Sequence, residues 1–147
     1  MANGMLTIKR TITVRAVVTP RWKEEAEREL SSAVSNSDGQ LAQLEQEGQQ
    51  LIDEIRRQSA NPLDPRVQQQ VMGVQEQVAT KRAELEEQKR QLLEQQRQVR
   101  ELVMEEVVEQ GQLESFCEVA VGDNLVKKLQ ASLLVRDGVI ESIEDGL

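Results

Sequence analysis

Apolar residues recur at alternating gaps of four and three between Thr19 and Gly111, a spacing that places them along one stripe of an α-helix. The proline-flanked segment 61–65 interrupts the pattern once, and the pattern then resumes. This repeat predicts two long helices that fold back on one another as an antiparallel coiled-coil hairpin, 20–111, with its turn at 59–65.

The same pattern predicts the helix ends and the residues between the helices. Thr19 and Asp64 each precede a proline, so both are expected to be N-caps, and Gly111 is the expected end of the second helix. The seam of the first helix is predicted to contain Leu30, Val34, Ser37, Leu41, Leu44, Gly48, Leu51 and Ile55. The seam of the second is predicted to contain Val67, Val71, Val74, Val78, Lys81, Leu85, Gln88, Leu92, Gln95, Val99 and Leu102. Counting back from the turn pairs Leu30 with Leu92.

Polar and flexible residues weaken these seams. The second seam is polar at Lys81, Gln88 and Gln95, and polar seam residues can fix register and partner number at a cost in stability. Residues 35–39 are poor helix formers. We expect the first helix to continue through them with a soft or kinked turn; a break at Gly39 is the alternative.

Strand-like alternation flanks the helical region on both sides. Residues 6–18 alternate apolar and polar, and the period of two returns at 113–121, as expected of half-buried strands. Segments 131–136 and 139–143 flank Asp137–Gly138, a strong signal for a tight hairpin. The short piece between them, 125–129, is either one helical turn or a loop.

These elements predict an α+β fold. The coiled-coil hairpin is inserted between strand 1 and strands 2–4 of a small antiparallel β-sheet or partly open barrel formed by residues 5–19 and 112–144. The first two strands are expected to pair antiparallel, because a hairpin returns the chain to its starting point. The domains are therefore a small β domain, 1–19 plus 112–147, and the hairpin.

Charge and cysteine content narrow the function classes. The net charge of −8 disfavours nucleic acid as a partner, since phosphate binding normally requires a basic surface. No run of about 18 apolar residues predicts a membrane span, and the first 20 residues lack the apolar core of a secretory signal. A single cysteine, Cys117, is compatible with a reducing compartment. We expect a cytoplasmic protein.

Candidate chemistry is sparse. The chain has no histidine and no tyrosine, so the commonest general base near neutral pH is missing. Cys117 lies in phase with Val119 and Val121, which predicts a core position rather than a nucleophile. Asp123 and Asp137 adjoin Gly or Asn, as turn geometry requires, without the repeated spacing of a calcium loop. We therefore predict no enzyme activity, no catalytic residues, no cofactor and no metal.

Two surfaces are candidates for binding. Ile52, Leu63 and Met72 lie off the predicted seam, with Ile52 opposite Met72, and would form an apolar patch near the hairpin tip. Self-association through this tip patch is the preferred interpretation; a client or partner protein and scattered surface residues are the alternatives. The basic first strand offers Lys9, Arg10 and Arg15 as candidate RNA contacts, although it lacks the aromatics that stack bases.

The ends of the chain carry a family resemblance. A strand TIKRTITV (7–14) leads into a long heptad hairpin, and the chain closes with EVAVGDN (118–124) and LVRDGVI (134–140). This arrangement resembles the YlqD-like family of small bacterial and cyanobacterial proteins. The resemblance implies a protein without assigned enzymatic activity and carries over no functional residues. Prefoldin subunits share only the hairpin shape, because their strands lie between the helices.

The combined expectation is a non-enzymatic structural or interaction protein that oligomerises or binds partners through its coiled-coil hairpin. A homo-oligomer is the expected assembly, with a protein client as a further partner class. The alternative is an RNA- or ribosome-associated factor that uses the basic first strand.

Overall fold

The computed structural model describes residues 4–145 of the chain. In chain order its elements are β1 (Met5–Val17), α1 (Pro20–Arg57), α2 (Pro65–Glu101), β2 (Val107–Ala120), α3 (Leu125–Leu129), β3 (Ala131–Arg136) and β4 (Val139–Asp145). They divide into two compact units, one of residues 4–25 and 101–145 and the other Ala26–Arg100. The α+β class is confirmed, with a two-helix hairpin between the first strand and the other three.

The sheet has four strands in the order β2-β1-β3-β4. β1 and β2 pair antiparallel along almost their whole length, from Met5 opposite Ala120 to Val17 opposite Val107. β3 pairs parallel to β1 over four residues and antiparallel to β4. The sheet is therefore mixed and open rather than purely antiparallel. The chain between β2 and β3 passes to the far side of β1, and this crossing makes β3 run in the direction of β1.

The second strand begins earlier than the sequence pattern indicates. α2 ends at Glu101 and β2 starts at Val107, so the prediction that the second helix ends at Gly111 is wrong. Gly111 instead lies inside β2, opposite Val14. The backbone groups of residues 15–17 in β1 need partners, and pairing with residues 107–109 supplies them. Tertiary pairing thus overrides a helix-compatible heptad pattern.

Both predicted helix starts are confirmed by their hydrogen bonds. The hydroxyl of Thr19 accepts from the backbone N–H of Trp22 at 3.1 Å, and the carboxylate of Asp64 accepts from that of Arg66 at 2.9 Å. α1 is continuous through residues 35–39, so the alternative of a break at Gly39 is wrong. Helical packing outweighs the weak intrinsic propensity of that segment.

Each unit has its own small core. In the sheet unit the buried apolar residues are Ala16, Val17, Val18 and Cys117. In the hairpin unit they are Ile52, Val71 and Leu85. The buried position of Cys117 confirms its prediction as a core residue. Three polar residues are also buried, Thr19, Ser37 and Gln96.

Candidate interaction surfaces

A row of polar side chains joins the two helices of the hairpin unit. Each member of α2 bonds to a member of α1, and the spacing on both helices is mostly seven residues, the period of a coiled-coil seam. The pairs are Arg82 with Glu45, Lys89 with Asp38 (2.6 Å), Gln96 with Ser31 (3.0 Å) and Arg100 with Glu27 (3.0 Å). We call this row the polar ladder. A slip of either helix by one turn would break every pair, so the ladder specifies the register.

Val71 and Leu85 are buried as the predicted α2 seam requires, and the polar ladder displaces only the polar positions of that seam. Lys81, Gln88 and Gln95 are exposed, and the residues that follow each of them face α1 instead. The cause is that an α-helix has about 3.6 residues per turn and drifts by roughly 20° per heptad against a strict 3.5-residue repeat. Advancing the seam of α2 by one residue restores its contact with α1. The long polar side chains at these positions bridge the two helices at the edge of the seam.

The hairpin register also differs from the predicted one. Arg100 contacts Glu27 and Gln96 contacts Ser31, so the predicted pairing of Leu30 with Leu92 is wrong. The helices approach closely at Gly48, where an added Cβ would lie 2.7 Å from a methyl carbon of Val78. Only a residue without a side chain fits this crossing.

Only two of the three residues of the predicted tip patch are exposed. Ile52 is 6% exposed, whereas Leu63 and Met72 are 77% and 57% exposed. Ile52 faces the other helix, where it lines a cleft with Gln75 and Val78 rather than lying opposite Met72. Its predicted place off the seam is therefore wrong, and Leu51, predicted inside the seam, is exposed instead. The same helical drift explains this exchange.

The three basic residues of the predicted RNA surface do not share one face. Opposite residues in a sheet lie on the same side, so Lys9 and Arg15 lie on one face of β1 and Arg10 on the other. Lys9 is opposite Phe116, between Glu114 and Glu118, and Arg15 is opposite Glu109. The acidic residues of β2 thus flank both cations.

Arg10 is committed to contacts within the sheet unit. Its side chain is only 8% exposed, and the guanidinium forms a two-point ion pair with Asp145 at 2.9 and 3.0 Å. It also donates to the carbonyl oxygen of Lys128 in α3 at 2.9 Å. The hydrogen bond that the guanidinium donates to the Asp145 carboxylate is the main reason that the pKa of Arg10 is raised above its ordinary value.

A second ionic cluster lies at the turn after α2. The guanidinium of Arg136 bonds through two nitrogens to Glu105 and through its Nε to Glu141. The hydrogen bond from Arg136 lowers the pKa of Glu105 below its ordinary value, and both carboxylates raise the pKa of Arg136. Glu105 has a positive φ of 72°, an uncommon conformation for a residue with a side chain. The cluster fixes the chain where the helix passes into β2.

Apart from Arg10, Asp145 and Ser115, the side chains that the register places on the Arg10 face of the sheet are apolar. These apolar members are Leu6, Ile8, Ile12, Val14, Ala16, Val108, Leu113, Cys117, Val119, Ala131, Leu133, Val135, Ile140 and Ile143. We call this set the apolar sheet face. Three members in its outer strands, Leu113, Ile140 and Ile143, are 53%, 53% and 65% exposed. The sequence pattern predicts a buried face here, so this exposure is the feature that sequence reasoning missed.

Parts of the apolar sheet face near each end are covered, although Leu6 is 69% exposed. At one end the carbonyl of Lys128 in α3 accepts from Arg10 and lies 3.9 Å from the sulfur of Cys117. At the other end Trp22 lines a cleft with Ala16 and Val135. The middle, around Leu113 and Ile143, has no such cover from the described chain.

No group of three or more His, Cys, Asp or Glu among residues 4–145 is arranged to hold a metal ion. None of the helices described combines the length and the apolar character that crossing a bilayer needs.

Fold and surfaces define the class: an α+β protein in which a helical hairpin interrupts a mixed, open sheet with an exposed apolar face. The family model described as YlqD protein matches residues 6–144, and the chain belongs to the YlqD family. The predicted family membership is thereby confirmed. A crystal structure of a protein of unknown function from Synechococcus sp. WH 8102 is similar, with a TM-score of 0.88 and 70% identity over 99% of each chain. Comparison with curated proteins finds no match.

Proposed function

We propose that this protein is a non-enzymatic interaction protein that associates through its apolar sheet face. The observation that carries the proposal is the exposure of Leu113, Ile140 and Ile143 on a face that otherwise has the composition of a core. Exposed apolar residues that share one face of a folded protein are a candidate site of interaction. Covering it would remove apolar area from water, which is the main favourable term in most protein association.

The hairpin has a structural part in this proposal. The heptad spacing of the polar ladder supports a two-stranded coiled coil of fixed register. At about 1.5 Å per residue, the 37 residues of α2 correspond to a helix of roughly 55 Å. The hairpin surface is mostly polar, and its exposed large apolar residues are Leu51, Leu63, Met72 and Leu93. We infer that the hairpin acts as a spacer or scaffold.

The RNA alternative has weaker support. Arg10 is already paired with Asp145, and the two remaining cations of β1 face glutamates of β2. A phosphate backbone approaching Lys9 and Arg15 would meet these carboxylates as well, which opposes binding. A cytoplasmic location remains part of the proposal, because the single cysteine is free and buried.

The proposal is tested by titrating the purified full chain with an environment-sensitive apolar dye while its mass is measured by light scattering. The variants are Leu113→Glu and Ile143→Glu. We expect the wild type either to exceed the mass of one chain or to bind dye, and the combined variant to do neither. A wild type that is monomeric and binds no more dye than the combined variant would refute the proposal.

A further inference from the structure

We infer that the apolar sheet face is covered by the same face of a second copy, so that two sheets pack face to face about a two-fold axis. This inference rests on the proposed function and names its partner. A two-fold interface uses the same patch on both copies, so the patch must be compatible with itself. Charge, composition and area each bear on that requirement.

Charge favours this face over the other faces of an acidic chain. Two copies carry −8 each, and any shared surface brings identical charges together. By register, the charged residues of the described strands on this face are Arg10 and Asp145, and they neutralise one another; Glu141, at the bulge of β4, has no register partner and accepts from Arg136. The opposite face carries Glu109, Glu114 and Glu118 on β2 beside Lys9 and Arg15 on β1. Self-association through the apolar face therefore takes fewer charged side chains out of water than self-association through the opposite face would.

Composition points to a like partner. Besides Cys117, the apolar sheet face consists of Leu, Ile, Val and Ala, and it lacks Trp, Tyr and any unpaired Arg, the residues that dominate hot spots between different proteins. Homodimer interfaces are more apolar, at about 65% of their area. Two aliphatic sheet faces can interdigitate as the layers of a β-sandwich do, with the sheets about 10 Å apart.

The available area is near the lower limit for a specific dimer. With roughly 100 Å² for each fully exposed aliphatic side chain, the exposed and half-buried members offer about 350 Å² of apolar area per copy. At an apolar share of about 65%, this corresponds to an interface of roughly 550 Å² per copy. Specific interfaces begin at about 600 Å² per partner, so we expect a dimer of moderate affinity.

The test is sedimentation equilibrium of the full chain over a dilution series up to about 100 μM, a range that covers interfaces of modest affinity. The wild type is expected to approach the mass of two 16.6 kDa chains. Leu113→Glu or Ile143→Glu places two carboxylates in the interface, one from each copy, and each is expected to raise the dimer Kd at least tenfold.

The chain offers matched controls on the opposite face of the same two strands. Phe116 in β2 and Val139 in β4 are 65% and 68% exposed, and these fractions are similar to the 53% and 65% of Leu113 and Ile143. Phe116→Glu and Val139→Glu should change the dimer Kd by less than about threefold, since exposed rim charges contribute little. Circular dichroism checks that all four variants fold, and Ile143→Thr replaces Ile143→Glu if the glutamate does not.

The outcomes separate this inference from the proposed function. The inferred dimer is refuted if the wild type is monomeric at the highest concentration. It is also refuted if a dimer forms but Ile143→Glu leaves its Kd unchanged, or if both control variants abolish it equally. If that monomer still binds apolar dye, and Ile143→Glu but not Val139→Glu abolishes the binding, the face serves a different partner and the proposed function stands. If it binds no dye, both proposals fail.

Discussion

Replacing Gly48 by alanine tests the close approach of the two helices. An added Cβ would lie 2.7 Å from a methyl carbon of Val78, well inside van der Waals contact. Alanine gains about 1 kcal/mol of helix propensity over glycine. Forcing an extra carbon into a packed seam costs about 1–3 kcal/mol, and the β-branched Val78 has little rotamer freedom to move away. The net expectation is a destabilisation of about 0–2 kcal/mol.

Gly73 supplies the matched control within the same unit. It lies in α2 with nothing within 4 Å of its added Cβ, so Gly73→Ala should realise the full gain of about 1 kcal/mol. The two variants are compared by urea unfolding followed by circular dichroism, and they should differ by about 1–3 kcal/mol. Adding Val78→Ala to Gly48→Ala should recover part of the loss as a coupling energy. If Gly48→Ala stabilises the hairpin as much as Gly73→Ala does, the helices are not in contact there.

Three further predictions concern other parts of the chain. The pKa of Glu105 is lowered in the folded state, so its ion pair stabilises the fold above the ordinary glutamate pKa, and this stability is lost as the pH falls through the folded-state pKa. Glu105→Gln should therefore reduce the difference between the urea midpoints measured at about pH 7 and about pH 3. An unchanged difference would contradict the pairing. Gln96→Leu combined with Ser31→Ala replaces the hydrogen bond of the buried Gln96 by apolar groups and should leave the urea midpoint equal or higher, and a clearly lower midpoint would contradict this. Gly138 has a φ of 83°, so Gly138→Ala should lower the free energy of unfolding, measured by thermal denaturation, by about 1 kcal/mol. Gly111 has a negative φ and open space around it, so Gly111→Ala should show no such loss.

Local signals in the sequence were sufficient for the helix starts and the strand count. Thr19–Pro20 and Asp64–Pro65 encode caps that need only neighbouring backbone groups. The hairpin turn at Asp137–Gly138 is likewise local, and both residues have positive φ, as a tight turn between antiparallel strands requires. Such features depend on contacts only a few residues apart, so a single sequence contains all the information about them.

Features that depend on distant contacts were decided by the tertiary structure. Residues 107–111 carry a helix-compatible pattern but become strand because β1 offers unpaired backbone groups. The exchange of Leu51 for Ile52 in the seam follows from helical drift that accumulates over several turns before the partner helix corrects it.

For the candidate site, the alternation of the strands determined which residues share the apolar sheet face, since the side-chain period of a strand is two. The same pattern could not determine that Leu113 and Ile143 would be left exposed. Burial depends on which elements fold over a face, and here α3 and Trp22 reach only its ends. The sequence by itself therefore determined the composition of the face, and only the three-dimensional packing decided that its middle is open, because coverage is set by the path of the whole chain.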